Sequence, residues 1–83
     1  INIVNLVIYI IMSNKNDLIS IGESIRLERL KRHLSQEQLA ELANISNYQH
    51  IGKIEKADVD MRVSTLIKIL RALDIKFDDL IDI

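Results

Sequence analysis

The sequence predicts an all-α domain of five short helices behind an apolar N-terminal arm. Three observations predict it. The 83 residues hold no proline and two glycines, so little interrupts helix formation. Apolar residues recur three and four apart, most clearly at Leu66, Ile69, Leu70 and Leu73. Serine followed three residues later by glutamate or glutamine marks two helix starts, at Ser20 with Glu23 and at Ser35 with Gln38.

The length allows one small domain with a modest core. There is no cysteine, which removes disulfides and thiolate metal sites and fits a reducing cytoplasm. The net charge is −1 and unevenly placed. Arg26, Arg29, Lys31, Arg32, Lys53 and Lys56 lie in the middle; Asp74, Asp78, Asp79 and Asp82 lie at the end. A neutral chain is not a purely electrostatic nucleic-acid binder, but one basic face suffices for a small reader of sequence.

Residues Ile1 to Met12 are an almost unbroken apolar run without charge. The run is too short for a transmembrane helix, which needs about 20 apolar residues. It also lacks the basic start and cleavage site of a secretory signal. Two readings stand: a β-strand arm, or translated sequence upstream of a natural start at Met12. As a strand, residues Ile1 to Ile11 pair antiparallel with the same segment of a second subunit. Ser13 to Ile19 read as a polar linker, so the arm and linker occupy 1–19 and the helical domain 20–83.

Helix 1 opens at the Ser20 box and runs to about Arg32. Ile21 and Ile25 share one face, and Arg29 continues that stripe. Leu30 and Leu34 are expected to finish the core near the helix end, while Leu27 lies on another face. Helix 2 starts at Ser35, with Leu39, Ala40, Leu42 and Ala43 as its apolar stripe and Asn44 ending it in the left-handed conformation. Ser46 or Asn47 caps helix 3, where Ile51 and Ile54 point inward. Lys56 to Arg62 is a polar connector with Val59 tucked in. Helix 4 runs from about Val63 to Leu73 and ends at Asp74. Helix 5 runs from Phe77 to about Ile81, with Asp78 and Asp79 where the dipole favours acids.

Gln49 and Lys53 fall almost opposite Ile51 and Ile54. Tyr48 flanks that outward face on one side and His50 on the other. A short exposed helix carrying these side chains suits a DNA major groove. Glutamine can hold adenine through two hydrogen bonds, and lysine can reach guanine acceptors. Gln49, Lys53, Tyr48 and His50 are therefore the candidate base contacts. Lys53 has two blander readings, a solvated charge and a phosphate contact. Tyr48 has one, packing at the core edge. Ser46, Asn47 and Lys56 are candidate phosphate contacts, although capping alone explains the first two.

The stretch resembles the phage-repressor and Cro type helix-turn-helix, the XRE-like transcriptional regulators. The resemblance rests on Leu34 to Ala40 (LSQEQLA), Ala43 to Ser46 (ANIS), Lys53 to Glu55 (KIE) and Ser64 to Ile75 (STLIKILRALDI). It covers roughly Ile21 to Ile81. The family usually has glycine where this chain has His33 and Ala57. Between Leu39 and Glu55 this chain also reads one residue longer, which we place in the turn near Ser46 and Asn47.

The resemblance implies a repressor-like five-helix domain acting as a homodimer on a two-fold symmetric DNA operator. It implies that Gln36 touches a phosphate beside the start of helix 2. It also implies that Arg29 and Glu55 form a partly buried structural ion pair. A reading in another class is a protein-interaction module, such as the antitoxin of a toxin–antitoxin pair, with the apolar arm and acidic end holding a protein partner. An enzyme is not expected, since the sequence shows no thiol nucleophile, metal-ligand cluster or phosphate-cradling glycine loop. No metal, cofactor or membrane is implied.

Overall fold

The computed structural model describes residues 15–59 and 61–80, and those residues form five helices and no strand. They are α1 (Lys15–Lys31), α2 (Gln36–Leu42), α3 (Gln49–Glu55), α4 (Val63–Leu73) and α5 (Phe77–Leu80). The candidate strand arm, Ile1 to Ile11, lies outside the described residues.

The first helix corrects the sequence reading. It begins at Lys15, so residues 15–19 are helical and not a linker, and Ser20 is exposed inside the helix, not its cap. The extra turn has a physical reason. Leu18 is buried and extends the line of Ile21, Ile25 and Arg29 by one turn. Lys15 donates from Nζ to the carbonyl oxygen of Ala57, tying the new turn to the end of α3. Burial of an apolar side chain outweighs a local capping preference that costs little to leave unused.

The core is one cluster drawn from every helix. It contains Leu18, Ile21 and Ile25 of α1, Leu39 and Ala40 of α2, and Ile51 and Ile54 of α3. Leu66, Ile69 and Leu73 of α4 and Leu80 of α5 complete its helical part. Ala43, Ala57 and Met61 join it from the turns. Val59 packs against this cluster as expected, but the connector also buries Ala57 and Met61, which its polar composition hid. Leu34 lies partly buried on it, whereas Leu30 is 43% exposed and does not finish the core. Arg29 already completes the buried line of α1, and Leu30 stands about a third of a turn away from it. Leu42 is likewise exposed, at 59%, because Leu39, Ala40 and Ala43 fill the buried side of α2.

Four helices end alike. His33, Asn44, Ala57 and Asp74 each have φ of 55–56°. After each, the next amide bonds back five residues: Leu34 to Arg29, Ile45 to Ala40, Asp58 to Lys53, and Ile75 to Leu70, at 2.8–3.2 Å. This is the Schellman arrangement, and it satisfies carbonyls that the helix end would leave open. Asn44 and Asp74 are types that tolerate the left-handed region. His33 and Ala57, where the family usually carries glycine, adopt it all the same.

Helix α1 packs on α3 and α5, and α2 packs on α3 and α4. At Gly22 the backbone of α1 comes close to the end of α3. A Cβ there would stand 2.5 Å from the carbonyl oxygen of Ile54 and 2.8 Å from that of Glu55, so only glycine lets α1 cross the end of α3. Ser24 Oγ donates to the carbonyl oxygen of Leu80 at 2.7 Å and fixes α5 against α1.

Candidate nucleic-acid interface

The pair α2 and α3 is built locally. Ser35 Oγ accepts the amide of Gln38 at 3.0 Å, and Gln38 Oε1 accepts the amide of Ser35 at 2.8 Å, closing the expected capping box. Asn44 then ends the helix. Neither candidate cap for α3 holds the N-cap position, which is Tyr48, but Asn47 supports the helix start from the preceding turn. Its Oδ1 accepts the amide of Gln49 at 3.0 Å, and its carbonyl accepts the amide of His50 at 3.1 Å. Tyr48 occupies the last position before the helix and makes no side-chain capping bond.

Helix α3 is two-faced. Ile51 is fully buried and Ile54 is 2% exposed. Gln49 and Lys53 are exposed, and Tyr48 is 45% exposed at the helix entry. His50 and Gly52 are half-buried on the flanks. Ser46 and Asn47 are exposed in the preceding turn, and Lys56 is exposed at the helix end. The structure therefore brings Gln49 and Lys53 to the outward face of one short helix, with Tyr48 at its entry and its opposite face in the core. The polar side chains of α3 have room to move toward a ligand, while the backbone beneath them is held by packing.

Gln36 is half-buried. Its side chain lies across Gly52, and its Nε2 donates to Glu55 Oε1 at 3.2 Å. Arg29 meets the same carboxylate with two bonds, Nε to Oε2 at 2.7 Å and Nη2 to Oε1 at 3.1 Å. The Arg29 side chain is 10% exposed and that of Glu55 is 2% exposed. Arg29 Nη1 also donates to the carbonyl oxygen of Leu34 at 2.8 Å. A bidentate guanidinium–carboxylate pair with its remaining groups bonded can remain charged out of water. Among the described residues, no buried side-chain polar atom lacks a partner.

Beside this pair is an open cleft of about 500 Å³ between α1 and α3, with Arg26, Gln36 and Lys56 among its lining residues. Arg26 pairs with exposed Glu23 at 3.4 Å. Lys31 and Arg32 both turn to Glu28, at 3.1 and 2.7 Å. The Arg32 guanidinium, and then Lys31, hold the Glu28 carboxyl below its usual range. Lys53 and Lys56, by contrast, enter no ion pair among the described residues, so their charges stay available to an anion. Among the described residues no group of acids and histidines is placed to hold a metal ion, and no helix is long and apolar enough to cross a membrane.

Sequence reasoning missed Gly22. The signal was there: a glycine in the middle of a helix needs a packing reason. It was hidden by reading Ser20 to Glu23 as a helix start.

Comparison with known proteins agrees with this architecture. Residues 25–80 match the family described as Helix-turn-helix. The chain is 39% identical over 72 residues to an uncharacterized HTH-type transcriptional regulator of Rickettsia prowazekii (strain Madrid E), covering 81% of this chain and 55% of that protein. It is 37% identical over 54 residues to the control protein C.SmaI of Serratia marcescens, covering 65% of this chain and 63% of that protein. Its fold is similar to the crystal structure of the restriction-modification controller protein C.AhdI from Aeromonas hydrophila. The TM-score is 0.74 at 30% identity, over 80% of this chain and 98% of that one. The chain spans about half the length of the first curated relatives it matches. A capped helix pair, a bidentate Arg29–Glu55 lock and a family match across most of the domain lead to one conclusion: the chain belongs to the helix-turn-helix family of phage-repressor and Cro type, the XRE-like transcriptional regulators.

Proposed function

We propose that this protein is a sequence-specific DNA-binding transcriptional regulator that places α3 in the major groove. The observation that carries the reading is the two-faced α3, with Ile51 and Ile54 in the core and Gln49 and Lys53 exposed opposite them. A helix about 10–12 Å across fits a groove of about 12 Å. Gln49 and Lys53 act as base readers, with Tyr48 and His50 at the flanks of the contact. Gln36, Ser46, Asn47 and Lys56 hold phosphates and fix the register of the helix on the duplex.

The protein works as a homodimer on a two-fold symmetric operator. A single α3 reaches only a few base pairs, and two copies about 34–36 Å apart read successive major grooves on one side of the duplex. The names of the Rickettsia relatives, HTH-type transcriptional regulators, support regulation of transcription as the outcome.

Titrating fluorescent operator duplex with wild type, Gln49→Ala and Lys53→Ala tests this reading. Both side chains are exposed, so both variants keep the helical circular dichroism of the wild type. Each should lose about 1–3 kcal/mol of discrimination between operator and mismatched duplex. Unchanged discrimination in both variants rejects α3 as the reading helix.

A further inference from the structure

The carboxylate of Glu55 has a second side-chain partner besides Arg29. Glu55 Oε1 accepts from two side chains at once, Arg29 Nη2 at 3.1 Å and Gln36 Nε2 at 3.2 Å. One acid thus joins α1, the end of α3 and the first residue of α2. Gln36 reaches it by lying over Gly52, where a Cβ would stand 3.2 Å from Gln36 Oε1 and 3.3 Å from Nε2.

We propose that Glu55, neutralised by Arg29, is a positioning residue that sets the orientation of the Gln36 amide for a DNA phosphate. The proposal rests on the reading of Gln36 as a phosphate contact. A glutamine side chain presents a carbonyl on one side and an NH2 on the other, and rotation by half a turn exchanges them. A phosphate only accepts hydrogen bonds, so only the NH2 serves it. A carboxylate also only accepts. Glu55 therefore selects the orientation that turns the nitrogen toward it, since the flipped amide would set two acceptors against each other. One N–H then bonds Glu55 and the second, on the same nitrogen, remains for the phosphate. Arg29 has its own part. A bare carboxylate would repel the incoming phosphate, and the bidentate guanidinium cancels that charge. Gly52 leaves the space in which the glutamine lies.

Two substitutions separate positioning from stability. Glu55→Gln removes the charge that selects the amide orientation. Gly52→Ala leaves the ion pair intact and sets a Cβ 3.2 Å from Gln36 Oε1, so that the Gln36 amide must shift by a few tenths of an ångström. Alanine is a better helix former than glycine, so Gly52→Ala should not lower the melting temperature. Each is combined with Gln36→Ala, and operator affinity is titrated for all members of both cycles. Nitrogen-15 spectra of the free proteins follow the Gln36 side-chain amide.

The expected result is a roughly fivefold loss of affinity for Glu55→Gln and for Gly52→Ala, about the size of one hydrogen bond. Neither should cause a further loss in the Gln36→Ala background. The Gln36 amide protons should be separated in the wild type and move toward free-glutamine values in both single variants. Equal losses with and without Gln36, or an unmoved amide, overturn the proposal. If Glu55→Gln does not fold, the Gly52→Ala cycle decides by the same criterion. If Gln36→Ala binds as tightly as wild type while Gln49→Ala binds more weakly, Gln36 is no phosphate contact. The positioning role then falls and the reading of α3 stands.

Discussion

At the scale of single residues, two kinds of side chain stand out: a buried charge, and side chains in the left-handed region. Arg29 lies on the same helical line as Ile21 and Ile25 and is 8% exposed. Its guanidinium spends three donors on Glu55 and Leu34. Removing it leaves a buried carboxylate with Gln36 as its remaining partner. Arg29→Ala should therefore cost about 3–5 kcal/mol of stability. Arg26→Ala and Arg32→Ala remove pairs at the surface and should cost about 1 kcal/mol or less. Thermal melts of the three variants check this, and equal losses would deny the pair its special standing. His33 is exposed with φ of 56°, where a Cβ crowds the following carbonyl. His33→Gly should stabilise the protein by about 1 kcal/mol, seen as a higher urea midpoint. Ala57→Gly should gain less, because it also deletes a methyl group from the core. The place of Arg29 could be read from sequence because a charge in a core register demands a partner. The identity of that partner came from family resemblance, since Glu55 is twenty-six residues away and helical spacing alone cannot pair them.

At the scale of elements, α4 was the most legible. Its apolar spacing and Asp74 set both ends where they are found, Val63 and Leu73. Helix α2 was legible from its capping box and from Asn44. Helix α1 was not, because a local signal at Ser20 competed with a tertiary one at Leu18, and burial prevailed. The same misreading hid the contact that sets the angle of α1 on α3. Gly22→Ala should be among the most damaging small substitutions in the domain. The added methyl meets backbone carbonyls that cannot rotate away, even though alanine itself favours helix. We expect a loss of about 1–3 kcal/mol by denaturant titration, as typical of overpacking. A neutral result would show that α1 shifts freely along α3. For the candidate interface, the outward face of α3 was legible from the inward spacing of Ile51 and Ile54. The bond from Gln36 to Glu55 was not, because it depends on how two helices cross.

At the scale of the whole molecule, the proposed function makes charge decide how the protein would meet DNA. A net charge of −1 gives no general attraction to phosphates, so non-specific binding should be weak. Affinity must then come from a few placed cations and from base readout. Lys56, at the end of α3 and outside any ion pair among the described residues, is the cation we propose for this role. Lys56→Ala should weaken binding to all duplexes alike and reduce the slope of log affinity against log salt by about one. Lys53→Ala should instead change which duplexes are preferred.

That difference is measured most directly by selecting from a pool of random double-stranded DNA with wild type and with Gln49→Ala and Lys53→Ala in parallel. Wild type should enrich a motif with two symmetric halves one helical turn apart, and each variant should relax particular positions within both halves while keeping their spacing. Identical motifs for wild type and variants, or no enriched motif for the wild type, would contradict the placement of α3 in the major groove.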